Sequence, residues 1–503
     1  MRTRLVPAVL AILGCVQAAV AVTQKPGERA AASAAQSTAR DRLQTCHVPG
    51  VEDDLLCGTY EVFEDRAARA GRKIPLNVLL MPATGQPVEP DALVYLAGGG
   101  VVPATRYAGL FARWFRTLRE HRDILLVDQR GTGKSNPLDC PTLPPLPRDG
   151  GDMTAHLAAV RQCRDELSKR ADLRLYTTTI AMDDLDEVRG AFGYGRLDLM
   201  GVSYGTKAAQ VYLRQYPARV RTIALHGPMP MDAPMWLDLA KSAQETLDRV
   251  FDSCRSDAAC AKAFPDLPRE FAAARERLKA KAVTTEAEAP DGSMKTVTVT
   301  ERALVDNLTG MLNIARGIRE VPAVIHQTYA GDYLPLAAML AEEGTAGPGA
   351  PPVAPRGLYL SLLCPESIAQ FDRRDIDRAT AGTFMGGRWL HAQVDVCAQW
   401  VKTTVPAGFW TPPRSEVPAL VMAGAFDATT PPRYAESVAK HFPNGRLVIL
   451  PARSHNDADA CAMALIESLV IKGQSRSIDT SCVAQTPPIK FRVTTAPGDA
   501  PDA

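Results

Sequence analysis

The chain has 503 residues, 46% of them hydrophobic and 22% charged, with 57 Lys and Arg against 56 Asp and Glu for a net charge of +1. That length exceeds one compact core and fits a large globular domain carrying an insertion. Balanced charge excludes the broad basic field of a nucleic-acid binder, and no apolar run beyond the N-terminus is long enough to span a bilayer.

In chain order, residues 1–21 read as an export signal. Arg2 and Arg4 form a short positive region, a mostly apolar stretch follows, and Ala19-Val20-Ala21 offers small residues for cleavage. The rival reading takes Ile12-Leu13-Gly14-Cys15 as a lipoprotein box with Cys15 lipidated, the one route by which this chain would meet a membrane. The expected location is therefore periplasmic or secreted. Residues 22–45, rich in Ala, Ser, Thr and Gln, read as a flexible lead-in.

Strand signals follow at 59–62 and 74–80, and buried-strand signals at 93–96 and 124–127. A helix is expected over 179–192, a strand over 197–200, a helix over 206–216 and a strand over 222–225. This alternation predicts a mostly parallel sheet covered on both faces, spanning 46–227. Residues 228–410 read as a mainly helical cap, with amphipathic helices over 236–251 and 268–281 and a Gly/Pro/Ala-rich loop over 343–356. Strands return at 419–423 and 447–450, so 411–503 is expected to complete the sheet domain and end in an irregular Pro-rich tail.

There are 11 cysteines, and setting Cys15 aside leaves an even number, which suits disulfides in an exported chain. Pairing neighbours gives Cys46 with Cys57, Cys140 with Cys163, Cys254 with Cys260, Cys364 with Cys397, and Cys461 with Cys482. Sequence leaves that connectivity open, with buried free thiols as the alternative. No Cys-x-x-Cys and no ligand-spaced His pair occurs, so no metal site is expected.

The chemistry centres on Gly201-Val202-Ser203-Tyr204-Gly205, placed after a predicted strand and before a predicted helix. A nucleophile elbow demands that context, because the serine must ride a tight turn with its hydroxyl exposed. Serine needs a base, and the base needs an orienting acid. His455 follows the last predicted strand, and Asp427 follows the one before it, in the order Ser, acid, His. Asp457 and Asp459 are rival acids on the wrong side of the histidine for that order. An oxyanion hole would use the amide of Tyr204 and one from Gly98-Gly99-Gly100, for which Gly99 is chosen. The run Asp128-Gln129-Arg130-Gly131-Thr132-Gly133-Lys134-Ser135 resembles a phosphate loop but lacks its first glycine, and Pro137 blocks the helix that would follow.

Together these pieces resemble the prolyl aminopeptidase and tripeptidyl aminopeptidase group of α/β-hydrolases, from about Cys46 to Cys482. The likeness rests on Cys57-Gly58, Glu64-Asp65-Arg66, Asp128 to Ser135, Gly201 to Thr206, Asp427 to Pro432, and Cys461 with Cys482. It implies an α/β-hydrolase fold with a helical cap, exopeptidase action on peptide substrates with a free N-terminus, no metal and no cofactor. It also implies an acidic cap residue that meets the substrate ammonium, here Glu366 within Cys364-Pro365-Glu366. Two departures bear on substrate choice: Gly98-Gly99-Gly100-Val101 stands where the group has Gly-Gly-Pro-Gly, and Ser454-His455-Asn456 where it has Gly-His-Gly. An esterase or lipase with the same triad, and a non-catalytic binding protein on the same scaffold, are the alternatives.

Overall fold

The computed structural model describes residues 39–144, 146–147, 152–342, 355–455, 457 and 459–493. The expected export signal, Cys15, residues 22–38 of the lead-in, most of the loop 343–356, Asn456 and the end of the tail lie outside the described residues.

Eleven strands are described: β1 Gln44–Cys46, β2 Leu55–Phe63, β3 Lys73–Met81, β4 Asp91–Leu96, β5 Asp123–Val127, β6 Arg196–Val202, β7 Val220–His226, β8 Val283–Glu288, β9 Met294–Val299, β10 Ala419–Gly424 and β11 Gly445–Leu450. Nine of them form one sheet in the order β1-β2-β3-β5-β4-β6-β7-β10-β11. From β5 to β11 neighbouring strands are parallel, whereas β1, β2 and β3 join antiparallel. All six residues of β4 are buried, as a strand covered on both faces requires. Val94 and Leu96 pack beneath the helices Met153–Ser168, Thr178–Ala191 and Tyr204–Gln215. Leu93 and Tyr95 point to the other face, against Phe111, Phe115 and the helix Ala460–Lys472.

After β4 the chain adds β5 on one side, then crosses back to place β6 on the other. The reversal opens a crevice at the carboxyl ends of β4 and β6, where ligands bind in sheets of this kind. Leu96 is paired with Gly201, so the loop after β4 and the turn after β6 emerge side by side.

One expectation is corrected and another gains a detail. The end of the supposed lead-in is ordered: Arg40–Arg42 form a turn of 3-10 helix, and Gln44–Cys46 extend the sheet beside β2, clamped by the Cys46–Cys57 disulfide. The segment after β7 is mainly helical and also carries one hairpin. Its β8–β9 hairpin pairs Val283 with Val299 through Glu288 with Met294, around the turn Asp291-Gly292, with Gly292 at φ +79°. All five neighbour pairs of cysteines are disulfide-bonded.

Between β7 and β10 the chain folds in two parts. Helices Leu239–Ser256, Leu267–Ala280, Glu301–Met311, Ala315–Ala330 and Leu334–Glu342 gather with the hairpin around their own core. Helices Arg356–Glu366 and Arg388–Gln399 instead send Leu358, Leu360, Leu362 and Val396 into the core of the sheet domain.

Candidate active site

Ser203 stands at the turn between β6 and the helix Tyr204–Gln215 with φ +53° and ψ −120°, a conformation that costs a non-glycine residue of order 1–3 kcal/mol. Crowding holds it there. A Cβ on Gly201 would lie 2.5 Å from the Gly205 carbonyl oxygen, and one on Gly205 would lie 1.8 Å from that of Leu96. Only glycines let the helix start this close to β4. The Ser203 amide donates to the His226 carbonyl at 2.9 Å, which ties the turn to the end of β7.

His455 Nε2 lies 2.9 Å from Ser203 Oγ, and its Nδ1 lies 2.9 and 3.0 Å from the two oxygens of Asp427. With Nδ1 protonated toward Asp427, Nε2 is free to accept the serine proton. Asp427 is 1% exposed and also accepts from the amides of Thr429 and Thr430, at 2.9 and 2.6 Å, and from the Thr430 hydroxyl at 2.8 Å. Those donors fix the carboxylate in place. Burial opposes a charged His455, but the charge and hydrogen bond of Asp427, with help from Asp457, hold its pKa above the ordinary value. The rival acids serve elsewhere: Asp457 accepts from the amides of Ser454 and Ala315, and Asp459 caps the helix Ala460–Lys472 and pairs with Arg453.

Tyr204 is the first residue of its helix, so its amide precedes the intrahelical ladder. Gly99, at φ +73°, lines the same cavity as Ser203 and Tyr204. Both groups chosen for the oxyanion hole therefore border the nucleophile. A Cβ on Gly98 would sit 3.3 Å from the Val202 carbonyl oxygen, which shows how closely the loop after β4 approaches the elbow.

The cavity measures about 130 Å³. Met229, Met235, Trp236, Tyr359, Leu362 and Leu363 wall it together with Ser203, Gly99, Lys207 and Glu366. Glu366 is 1% exposed. Its oxygens accept from the Thr178 amide at 2.6 Å and the Thr178 hydroxyl at 2.7 Å, and Lys207 Nζ stands 3.9 Å away. The hydrogen bonds continue outward: the Thr178 hydroxyl lies 2.6 Å from the Tyr204 hydroxyl, which accepts from Gln129 Nε2 at 3.2 Å. Because Thr178 gives its proton to Glu366, Tyr204 must donate to Thr178. Burial raises the Glu366 pKa against the pull of Lys207 and Thr178, and lowers that of Lys207 against the pull of Glu366.

Sequence reasoning missed Lys207, Thr178, Thr430 and Gln129. Lys207 had a signal, since it lies four residues after Ser203 and so one helical turn along the same face. Thr178 had none, because its role depends on a helix brought in from across the fold. The run Asp128 to Ser135 proves structural. Arg130 is fully buried, bidentate to Asp184 at 2.6 and 2.8 Å, and donates to the carbonyls of Glu64 and Leu175. Asp128 accepts from Asn77 and from the amide and hydroxyl of Thr105. Among the described residues no group of three or more His, Cys, Asp and Glu side chains is arranged to hold a metal ion.

Comparison with known proteins agrees with this architecture. The chain is 26% identical to a tripeptidyl aminopeptidase of Streptomyces lividans over 474 residues, covering 86% of this chain and 84% of that protein. It is 28% identical to the serine protease Hip1 of Mycobacterium bovis over 231 residues, 42% of this chain and 43% of that one. It is 27% identical to a putative hydrolase, YuaR, of Escherichia coli over 221 residues, 41% and 44% of the two chains. The family described as the alpha/beta hydrolase fold matches residues 92–467, from β4 to the last long helix. This chain belongs to the alpha/beta hydrolase fold family and is a serine hydrolase.

Proposed function

We propose that this protein is an exported serine exopeptidase of the aminopeptidase type, cleaving peptides from a free N-terminus through an acyl-enzyme. The observation that carries the reading is the hydrogen-bonded row Ser203–His455–Asp427 opening onto a walled cavity with a carboxylate, Glu366, inside it. His455 takes the Ser203 proton as Oγ attacks the peptide carbonyl. The amides of Tyr204 and Gly99 hold the oxyanion. His455 then gives the proton to the leaving amine, and water, deprotonated by the same imidazole, releases the acyl group. Glu366 meets the substrate ammonium. Relatives named for tripeptidyl aminopeptidase activity, matched over most of both chains, support the peptidase reading over a general esterase.

Export is supported by the five disulfides, which persist in oxidising compartments. Among the described residues no helix is long and apolar enough to cross a membrane. The destination is the periplasm or the medium, with a membrane as partner only through lipidation at Cys15.

Chromogenic amides of Pro and of Ala-Ala-Pro, each with a free and an acetylated N-terminus, test the reading against a Ser203→Ala blank. Turnover confined to free amines is the expected result. Brisk cleavage of short esters with no amide turnover would make the protein an esterase, and failure of a fluorophosphonate to label Ser203 would make it a binding protein.

A further inference from the structure

Lys207 is a lysine that a hydrolase elbow does not require. It is 6% exposed, and among the described residues no protein group accepts a hydrogen bond from its ammonium. Its nearest charge, Glu366 Oε2, is at 3.9 Å, beyond hydrogen-bond reach. The ammonium borders the cavity of Ser203 and a smaller recess that shares Trp236 and Glu366 with it. One helical turn separates Lys207 from Ser203, about 6 Å of rise. The centroid of the Phe409 ring lies 6.0 Å from Nζ, a cation–π contact that uses no N–H acceptor. A buried ammonium that borders the cavity with no oxygen in hydrogen-bond reach among the described residues is a binding group in want of an anion.

We propose that Lys207 is the receptor for a substrate carboxylate, and that with Glu366 it selects peptides whose N-terminal residue is acidic. The inference rests on the aminopeptidase reading. An N-terminal Asp or Glu carries an α-ammonium and a carboxylate a few bonds apart. The cavity offers the complementary pair at 3.9 Å, Glu366 for the ammonium and Lys207 for the carboxylate. An α-ammonium alone would meet the repulsion of Lys207. A carboxylate alone would meet that of Glu366. A group bearing both satisfies each, and the apolar walls sharpen the discrimination by excluding water. The same carboxylate chemistry is offered by the C-terminus of a very short peptide.

Four measurements separate these cases. Fluorophosphonate labelling of Ser203 first reports whether the nucleophile is active, and its absence would sink the enzymatic reading itself. On labelled enzyme, Glu-p-nitroanilide is compared with Gln-p-nitroanilide, both with free amines. The expected kcat/KM ratio is about tenfold or more in favour of Glu. That preference should collapse in Lys207→Met and persist in Lys207→Arg. Because Lys207→Met leaves Glu366 buried without its counter-charge, the double variant Lys207→Met/Glu366→Gln is measured beside it and should show the same collapse. Alanyl-alanine against its C-terminal amide distinguishes the second source: a preference for the free acid that Lys207→Met removes assigns Lys207 to the peptide terminus and overturns the selection of acidic N-terminal residues. Equal rates on Glu and Gln substrates by labelled wild-type enzyme would also overturn it while leaving the triad untouched.

Discussion

Between β7 and β10, the helices from Leu239 to Glu342 pack around their own core, whereas helices Arg356–Glu366 and Arg388–Gln399 share the core of the sheet. Both parts meet the site. The inner part supplies Tyr359, Leu362, Leu363 and Glu366 to the cavity wall. The outer part reaches the loops that carry Asp427 and His455. Its turn between two helices hydrogen-bonds to the acid and base loops three times: Asn313 Oδ1 accepts from the Thr429 hydroxyl at 2.6 Å, the Leu312 carbonyl from the Ser454 hydroxyl at 2.6 Å, and the Ala315 amide donates to Asp457 at 2.9 Å. Phe426 and Ala428 of the acid loop also join its core. One part thus lines the cavity, and the other braces the loops of Asp427 and His455.

The largest effect comes from the feature both parts serve. Ser203→Ala should lower kcat on the order of 10⁵–10⁶-fold, and Asp427→Asn about 10⁴-fold, with little change in melting temperature, by steady-state kinetics and calorimetry. A merely modest loss in either would mean that the row is not the reacting group and that the division of labour has no centre.

Next come the disulfides, which distinguish the parts directly. Cys364–Cys397 closes a separation of 33 residues beside Glu366, and Cys254–Cys260 one of 6 in the outer core. Replacing the first pair with alanines should cost about 3–4 kcal/mol and raise KM, and replacing the second about 2 kcal/mol with KM unchanged, by denaturant unfolding and kinetics. Equal effects on KM would erase the distinction.

Smaller still is Asn313→Ala in the outer turn. It should lower kcat about threefold to tenfold while leaving the preference among substrates unaltered. A change in preference would show that the outer part also shapes the cavity.

The smallest effect is on pH. His455 must be neutral to accept the serine proton, so kcat/KM falls as pH drops through its pKa, which lies above the ordinary 6.5. Asp457→Asn removes one charge that raises that pKa, so the acid limb should move to lower pH. Movement to higher pH would contradict the assigned electrostatics.

Much of the sheet is legible in the chain because its strands are short apolar runs separated by glycine-bearing turns. The elbow is legible because its two glycines sit where any side chain would strike backbone. Asp427 and His455 are legible from their order after β10 and β11. The β8–β9 hairpin was missed although its signs are local: alternation in Val283 to Glu288 and Met294 to Val299, and an Asp-Gly turn between. Those strands expose most of one face, so they lack the apolar run that marked the others. What composes the cavity was illegible for a different reason. Trp236 lies far along the chain from Tyr359 and Glu366, which share the helix Arg356–Glu366, and no periodicity tells which helix of an insertion will lean over the sheet edge.

The turn from Leu312 to Ala315 has a consequence for how the protein comes to life. The acid and base loops, near residues 427 and 455, are synthesised after the whole of the insertion. Their resting places are the carbonyl of Leu312, the side chain of Asn313 and the amide of Ala315, all of which belong to a part with its own core. A nascent chain can therefore close its sheet and still be inert until that part has folded. The onset of activity during refolding should report the last docking event, not the formation of the sheet.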